Sequence, residues 1–276
     1  MRAHRVDLGD VTLHVVGAGE GGRPLMLVHG FTATSDELAG VMEPLAGMGW
    51  HVVAPDLRGH GRSDSPTDAG AYSLELMAGD VVALADRLGW GRFTLLGHSM
   101  GGGIAQLVAL DHPQRLRALV LASTFHGPVP GITAELVELG RWVVAASGME
   151  GLADAMAARR SESPESVAAF ERLQEAVPGY AEASRARLVS TSPDMWAAMA
   201  PRFVSQDDRL DRLAGLEVPT SVIVGELDAT MGDDCRRLAA TIPGAELTVI
   251  AGAGHVPQLE RPDAWWAAVS GFLNGL

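Results

Sequence analysis

Cysteine is nearly absent from this chain of 276 residues, where Cys235 stands alone. A lone thiol closes no internal disulfide, so packing must hold the fold, and a reducing compartment suits it. Basic residues are scarce as well. Lys and Arg number 21 against 34 Asp and Glu, a formal net charge of -13. That balance argues against nucleic-acid backbones and anionic membrane surfaces, which want basic patches. No run of about 18 apolar residues occurs, so no segment reads as membrane-spanning. The opening MRAHRVDLGDVTLHVVGAGEGG has no signal-type apolar stretch. Together these absences predict a cytoplasmic protein. Histidines with metal-ligand spacing are missing too, and neither a metal nor a cofactor is expected. There is no internal repeat and no low-complexity tail.

What remains is ordinary globular material. The chain is 47% hydrophobic, which at this length supports one large core with room for an insertion. Short apolar runs at Val11–Val16, Leu25–Val28, Val52–Ala54, Phe93–Leu96, Leu119–Leu121, Thr220–Val224 and Leu247–Ile250 read as strands. They are continuous rather than alternating, as strands buried on both faces are. Between them lie helical stripes, such as Leu74, Met77, Val81, Leu84 and Leu88, stopped by Gly89. Trp265, Val269, Phe272 and Leu273 make another after Pro262. The alternation predicts an α/β fold with a mostly parallel sheet and helices on both faces. Val6–Leu8 and Val11–Val16 are too close for a crossover, so an antiparallel hairpin begins it.

The alternation breaks between His126 and Ser205. The stretches ITAELVELGRWVVAAS, GLADAMAARR and SPESVAAFERLQEAV read as three helices, the last capped near Ser161 or Ser163 with Pro164 early in it. The division expected is a core of residues 1–125 and 206–276 with a helical cap at 126–205. Its Trp142, Met149, Met156, Met195, Trp196 and Met199 predict a partly apolar roof, and Arg159-Arg160 is expected to meet solvent.

One joint in the core demands chemistry. Gly97-His98-Ser99-Met100-Gly101 is a G-x-S-x-G run between a strand and a helix. In that context it reads as a nucleophile elbow, a turn too tight for a Cβ at either glycine. Such a turn lifts a serine above the carboxyl edge of the sheet, where ligands of open α/β sheets bind. An alcohol needs a base. Of nine histidines, His255 stands in the glycine-rich loop AGAGHVPQLE after the last strand. His98, next to the serine, is expected to point elsewhere; His126 follows a strand and is a candidate for the pocket wall. The base in turn needs an acid. Asp228 in GELDAT is favoured, with Glu226 its rival, while Asp233 and Asp234 read as helix-opening acids. Donors for an oxyanion are expected from the backbone N–H groups of Met100 and of Phe31, in LVHGFTATSDE.

With VHGF from Val28, PDLRGHGRSD from Pro55, GHSMGG from Gly97, GELD from Gly225 and GAGHVPQLE from Gly252, the chain resembles the α/β-hydrolase fold superfamily over nearly its whole length. The resemblance implies a sheet of about eight strands, a cap over the site, and Ser99, Asp228 and His255 as catalytic set. The superfamily's other place for the acid follows an earlier strand, and LVLASTFHG offers no carboxylate there. PDLRGHGRSD is structural in the superfamily, so Arg58 and His60 are given no catalytic role.

The nucleophile position separates branches. Haloalkane dehalogenases and epoxide hydrolases carry aspartate where this chain has Ser99, and Tyr180 is the only tyrosine in the cap region. C–C hydrolases often carry asparagine before the serine and tryptophan after the histidine; here those are His98 and Val256. Enol-lactonases, small carboxylesterases, thioesterases and perhydrolases stay close. The expectation is a cofactor-independent serine hydrolase of a small to medium, apolar ester or lactone. Trp142, Trp196 and His126 are its candidate substrate contacts. C–C cleavage of a vinylogous diketone, or a ligand receptor that kept the triad, are the alternatives.

Overall fold

The computed structural model describes residues 1–161 and 164–276. Among them eight strands form one sheet: β1 (Arg2–Asp7), β2 (Thr12–Ala18), β3 (Arg23–Val28), β4 (Trp50–Pro55), β5 (Phe93–His98), β6 (Leu116–Ala122), β7 (Thr220–Gly225) and β8 (Glu246–Ile250). Their order is β1-β2-β4-β3-β5-β6-β7-β8. β1 pairs antiparallel with β2, and β2 antiparallel with β4; every later pairing is parallel. The opening hairpin and the parallel body are the arrangement that the strand spacing predicts.

Helices cover both faces. On one lie α1 (Ala39–Gly47) and, at the far end of the chain, the helix Pro262–Asn274; on the other lie α2 (Leu74–Arg87) and α3 (Met100–Asp111), with Gly232–Thr241 beside them. The pleat sorts the central strands between these faces. Leu25 and Leu27 of β3 join Met42, Leu45 and Trp265, whereas Met26 and Val28 join Met77, Ile104 and Leu238. The stripe in α2 is buried at Leu74, Met77, Val81 and Leu84, its Ser73 side chain accepts the Leu76 N–H at 3.1 Å, and Gly89 leaves the helix at φ 72°.

Between β6 and β7 run α4 (Ala134–Ser161), α5 (Pro164–Ala176), α6 (Tyr180–Val189), α7 (Pro193–Met199), α8 (Arg202–Ser205) and α9 (Leu210–Leu213). The two helices expected from ITAELVELGRWVVAAS and GLADAMAARR both lie within Ala134–Ser161 and meet at Gly148, whose φ of 65° and ψ of -167° break the helical path. Ser163 lies outside the described residues, and Pro164 opens α5. The inserted helices own a small core of Val137, Val144, Met149, Leu152, Leu188 and Trp196. Met195 and Met199 are fully buried, but Trp142 and Met156 are exposed. The two stems of the insertion are joined backbone to backbone: Val129 N–H donates to the Phe203 carbonyl at 2.7 Å, and Arg209 N–H to the His126 carbonyl at 2.9 Å. No helix among the described residues is long and apolar enough to cross a membrane. After β7 come α10 (Gly232–Thr241), α11 (Pro257–Glu260) and α12 (Pro262–Asn274).

Candidate active site

Ser99 sits where β5 turns into α3, at φ 54° and ψ -117°, a region that costs a non-glycine residue of the order of 1–3 kcal/mol. The surroundings enforce it. Ser99 N–H donates to the Ala122 carbonyl at 2.9 Å, and the Ser99 carbonyl accepts from Gly102 N–H at 2.9 Å and from the Thr124 hydroxyl at 2.7 Å. The neighbouring glycines leave no room. A Cβ on Gly97 would stand 2.2 Å from the Gly101 carbonyl oxygen, and one on Gly101 2.2 Å from that of Val28. Backbone on a central strand cannot step aside. Gly101→Ala is therefore expected to destabilise the protein by more than about 3 kcal/mol, beyond ordinary overpacking. Gly79→Ala, in an exposed turn of α2 with nothing within 4 Å, is expected to stabilise by about 0.5–1 kcal/mol. Urea titration of both variants checks this; equal midpoints would contradict the steric account.

His255, in the loop after β8, brings its Nε2 to 3.1 Å from Ser99 Oγ, and its Nδ1 to 2.9 Å from Asp228 Oδ2. A carboxylate only accepts, so Nδ1 carries the hydrogen and Nε2 presents its lone pair to the serine hydroxyl. Asp228 is buried after β7, and its other oxygen accepts the Met231 and Thr230 N–H groups at 3.1 and 3.3 Å. Burial pushes its carboxyl up, but the His255 hydrogen bond and charge and the Met231 N–H outweigh that and hold it below the ordinary value. Glu226, the rival acid, is exposed and accepts the Gly252 N–H at 2.9 Å. It braces the histidine loop from outside. Asp233 and Asp234 fall in the first turn of α10.

The loop His29-Gly30-Phe31 lies against the serine, where a Cβ on Gly30 would be 3.1 Å from Ser99 Cβ. The Phe31 and Met100 N–H groups have no acceptor among the described residues. His60 braces that loop from PDLRGHGRSD. Its Nε2 accepts the Thr32 N–H at 3.3 Å, and its Nδ1 donates to the Arg58 carbonyl at 3.1 Å. Burial, with the His29 ring beside it, pushes the His60 imidazole down to about 3, so it stays a neutral acceptor. Arg58 closes on Asp80 with two bonds of 2.6 Å.

The three candidate substrate contacts fare differently. Trp196 is buried and stacks on Phe31 with ring centroids 6.4 Å apart, and Phe203 meets the same ring edge-on at 4.8 Å. Trp142 is 69% exposed on α4 and makes none of these ring contacts. His126 is buried, with Nδ1 3.0 Å from Asp208 and Nε2 3.4 Å from Asp234. Burial lowers its pKa, but the two carboxylates outweigh burial and raise it overall. Both ring nitrogens thus face carboxylates inside the fold.

A parallel sheet flanked by helices, with serine, histidine and carboxylate in hydrogen-bond sequence at its carboxyl edge, defines the α/β-hydrolase class. The model of the alpha/beta hydrolase fold family matches residues 23–262, and the chain belongs to that family. A 2-hydroxymuconate semialdehyde hydrolase of Pseudomonas sp. (strain CF600) is 31% identical over 272 residues, 95% of this chain and 89% of the relative. A thermophilic esterase from Thermogutta terrifontis is 29% identical with a TM-score of 0.83, covering 100% of this chain and 99% of its own. The enol-lactonase from Burkholderia xenovorans LB400 is 26% identical with a TM-score of 0.83, covering 98% and 100%. Family and relatives mark the chain as a hydrolase.

Proposed function

We propose that the protein is a serine hydrolase that cleaves the ester or lactone bond of a small to medium, largely apolar substrate through an acyl-enzyme. The observation that carries the reading is the relay Ser99–His255–Asp228, at 3.1 and 2.9 Å, beside two unclaimed N–H groups. Ser99 Oγ attacks the carbonyl while His255 Nε2 takes its proton, and Asp228 holds the imidazolium. The Phe31 and Met100 N–H groups receive the oxyanion. His255 then protonates the leaving alcohol, and water repeats the sequence on the acyl-enzyme. The esterase and enol-lactonase similarities support this bond class. The segment 126–205 is read as the cap. Phe31, Trp196 and Phe203 give the meeting of cap and oxyanion loop an aromatic surface, which favours an uncharged acyl or alcohol part.

A substrate panel tests the proposal. Neutral esters of rising chain length, matched carboxylate-bearing esters, a lactone and a vinylogous diketone are compared by kcat/KM. The neutral esters or the lactone are expected to lead, rising up to about fourfold per added methylene until the pocket is full. A lead for the diketone would replace ester cleavage by C–C cleavage, and a lead for the charged esters would overturn the apolar pocket. Stoichiometric fluorophosphonate labelling with no turnover of any member would replace the enzyme by a receptor.

A further inference from the structure

The histidine beside the nucleophile has a role that its place in the sequence hides. His98 is the last residue of β5 and is buried. Its ring turns away from Ser99 Oγ and reaches two oxygens. Nε2 is 2.8 Å from the carbonyl oxygen of His255, and Nδ1 stands 3.2 Å from Glu37 Oε1, an ion-pair contact off the line of an ideal hydrogen bond. A carbonyl accepts, and so does an ionised carboxylate. Both ring nitrogens face acceptors, a setting that favours a hydrogen on each and hence an imidazolium, with Nδ1 in ion-pair contact with Glu37 rather than hydrogen-bonded to it.

Glu37 is the matching anion. It lies in the short turn Ser35–Leu38 after the oxyanion loop and is buried. Its Oε1 also accepts from Gln258 Nε2 at 3.2 Å, three residues beyond His255. Burial pushes the Glu37 carboxyl up, but the His98 contact outweighs it and holds the group at about 2. Burial pushes His98 down, and Glu37 with the His255 carbonyl overrides that and holds the imidazole above its ordinary value.

We infer that Glu37 and His98 form a buried ion pair that positions the His255 imidazole against Ser99, by gripping the His255 carbonyl and, through Gln258, the helix that follows it. This rests on the serine-hydrolase reading above. His255 needs such a grip. Its side chain is 41% exposed and its loop is glycine-rich, so the ring has little packing of its own. The strand end that carries the nucleophile thereby also fixes the base, and the two groups share one rigid support. A shift of about 1 Å between reacting groups costs on the order of 100-fold in rate.

The pair has a pH dependence of definite sign. His98 carries a raised folded pKa, so the imidazolium is fully present below the ordinary imidazole range and is lost as pH rises through the folded value. The groups that act on it are Glu37 from the turn after the oxyanion loop, His29 from the end of β3, Asp228 after β7 and His255 after β8. Arg187 of α6 acts on Glu37.

The experiment uses Glu37→Gln, His98→Gln and the double variant, which leaves no lone buried charge. Phosphonylation of Ser99 by a fluorophosphonate and kcat and KM for an ester that wild type cleaves are followed from pH 5 to 10. Both single variants are expected to slow phosphonylation and kcat by about 10- to 100-fold with KM unchanged. The double variant is expected to be no slower than the slower single one, because each residue acts through the other. In Glu37→Gln the alkaline limb is expected at lower pH than in wild type. Additive losses, a loss confined to KM, or a pH profile superimposed on wild type would overturn the inference. Nitrogen NMR of the wild type keeps it testable if the variants do not fold. Two ring N–H groups on His98 at pH 7 support it, and a neutral His98 overturns it. Wild type that is not labelled at Ser99 would overturn the serine reading itself; labelling that the substitutions leave untouched overturns only the positioning.

Discussion

Ser99→Ala is expected to lower turnover by about 10⁴-fold or more while the protein folds and melts as wild type does. The substitution removes one oxygen and nothing else that holds the elbow. Ser99 N–H still meets the Ala122 carbonyl, and the Ser99 carbonyl is still held by Gly102 and Thr124. Alanine carries the same Cβ into the same strained φ of 54°, so backbone strain is close to unchanged. What disappears is the hydroxyl 3.1 Å from His255 Nε2, the proposed nucleophile. Any residual activity then comes from binding and the oxyanion donors alone. Steady-state rates on the leading ester, beside a thermal melt, measure it. A purified variant as active as wild type would take Ser99 out of the mechanism.

Asp228→Asn is expected to cut turnover by roughly 10³- to 10⁴-fold with the fold intact. The direction follows from the other carboxylate oxygen. Oδ1 accepts from the Met231 and Thr230 N–H groups, so an asparagine keeps its carbonyl oxygen there and turns its NH₂ toward His255. A ring nitrogen facing an N–H must give up its own hydrogen. The imidazole is forced into the tautomer with hydrogen on Nε2, and it has no lone pair left for the serine proton. Glu226→Gln is expected to change kcat less than about threefold, since an amide oxygen still accepts the Gly252 N–H. The paired kinetics decide between them; a crippled Glu226→Gln beside an active Asp228→Asn would reverse the assignment of the acid.

The fold was legible where burial on two faces wrote continuous apolar runs. β5 is buried at all of its positions, and its sequence shows no alternation to confuse with an amphipathic helix. The elbow was legible for a steric reason: only glycine fits beside Val28 and Gly101, so the turn marks the chain. Gly148 was legible as a helix end, because a glycine is free to take the φ of 65° that parts the two helical stretches of the insertion. The exposure of Trp142 was not legible, because nothing in the local sequence says which side of α4 meets solvent. His98 was passed over on a correct premise. It does point away from Ser99, but its partners Glu37 and the His255 carbonyl lie on distant stretches of chain, and no spacing rule links them.

The paired stems of the insertion carry one more consequence. Because Val129 meets Phe203 and His126 meets Arg209, the helical segment leaves and rejoins the sheet at almost one point. In chain-entropy terms the sheet therefore experiences it as a closed loop. Loop-closure entropy grows only with the logarithm of length, and doubling the segment costs about 0.6 kcal/mol. A segment attached this way can be lengthened or shortened on its outer side with little entropic penalty to the body that carries the serine, while Met195, Met199 and Phe203, which fill the core of that body, tie its inner side to the sheet's own fate.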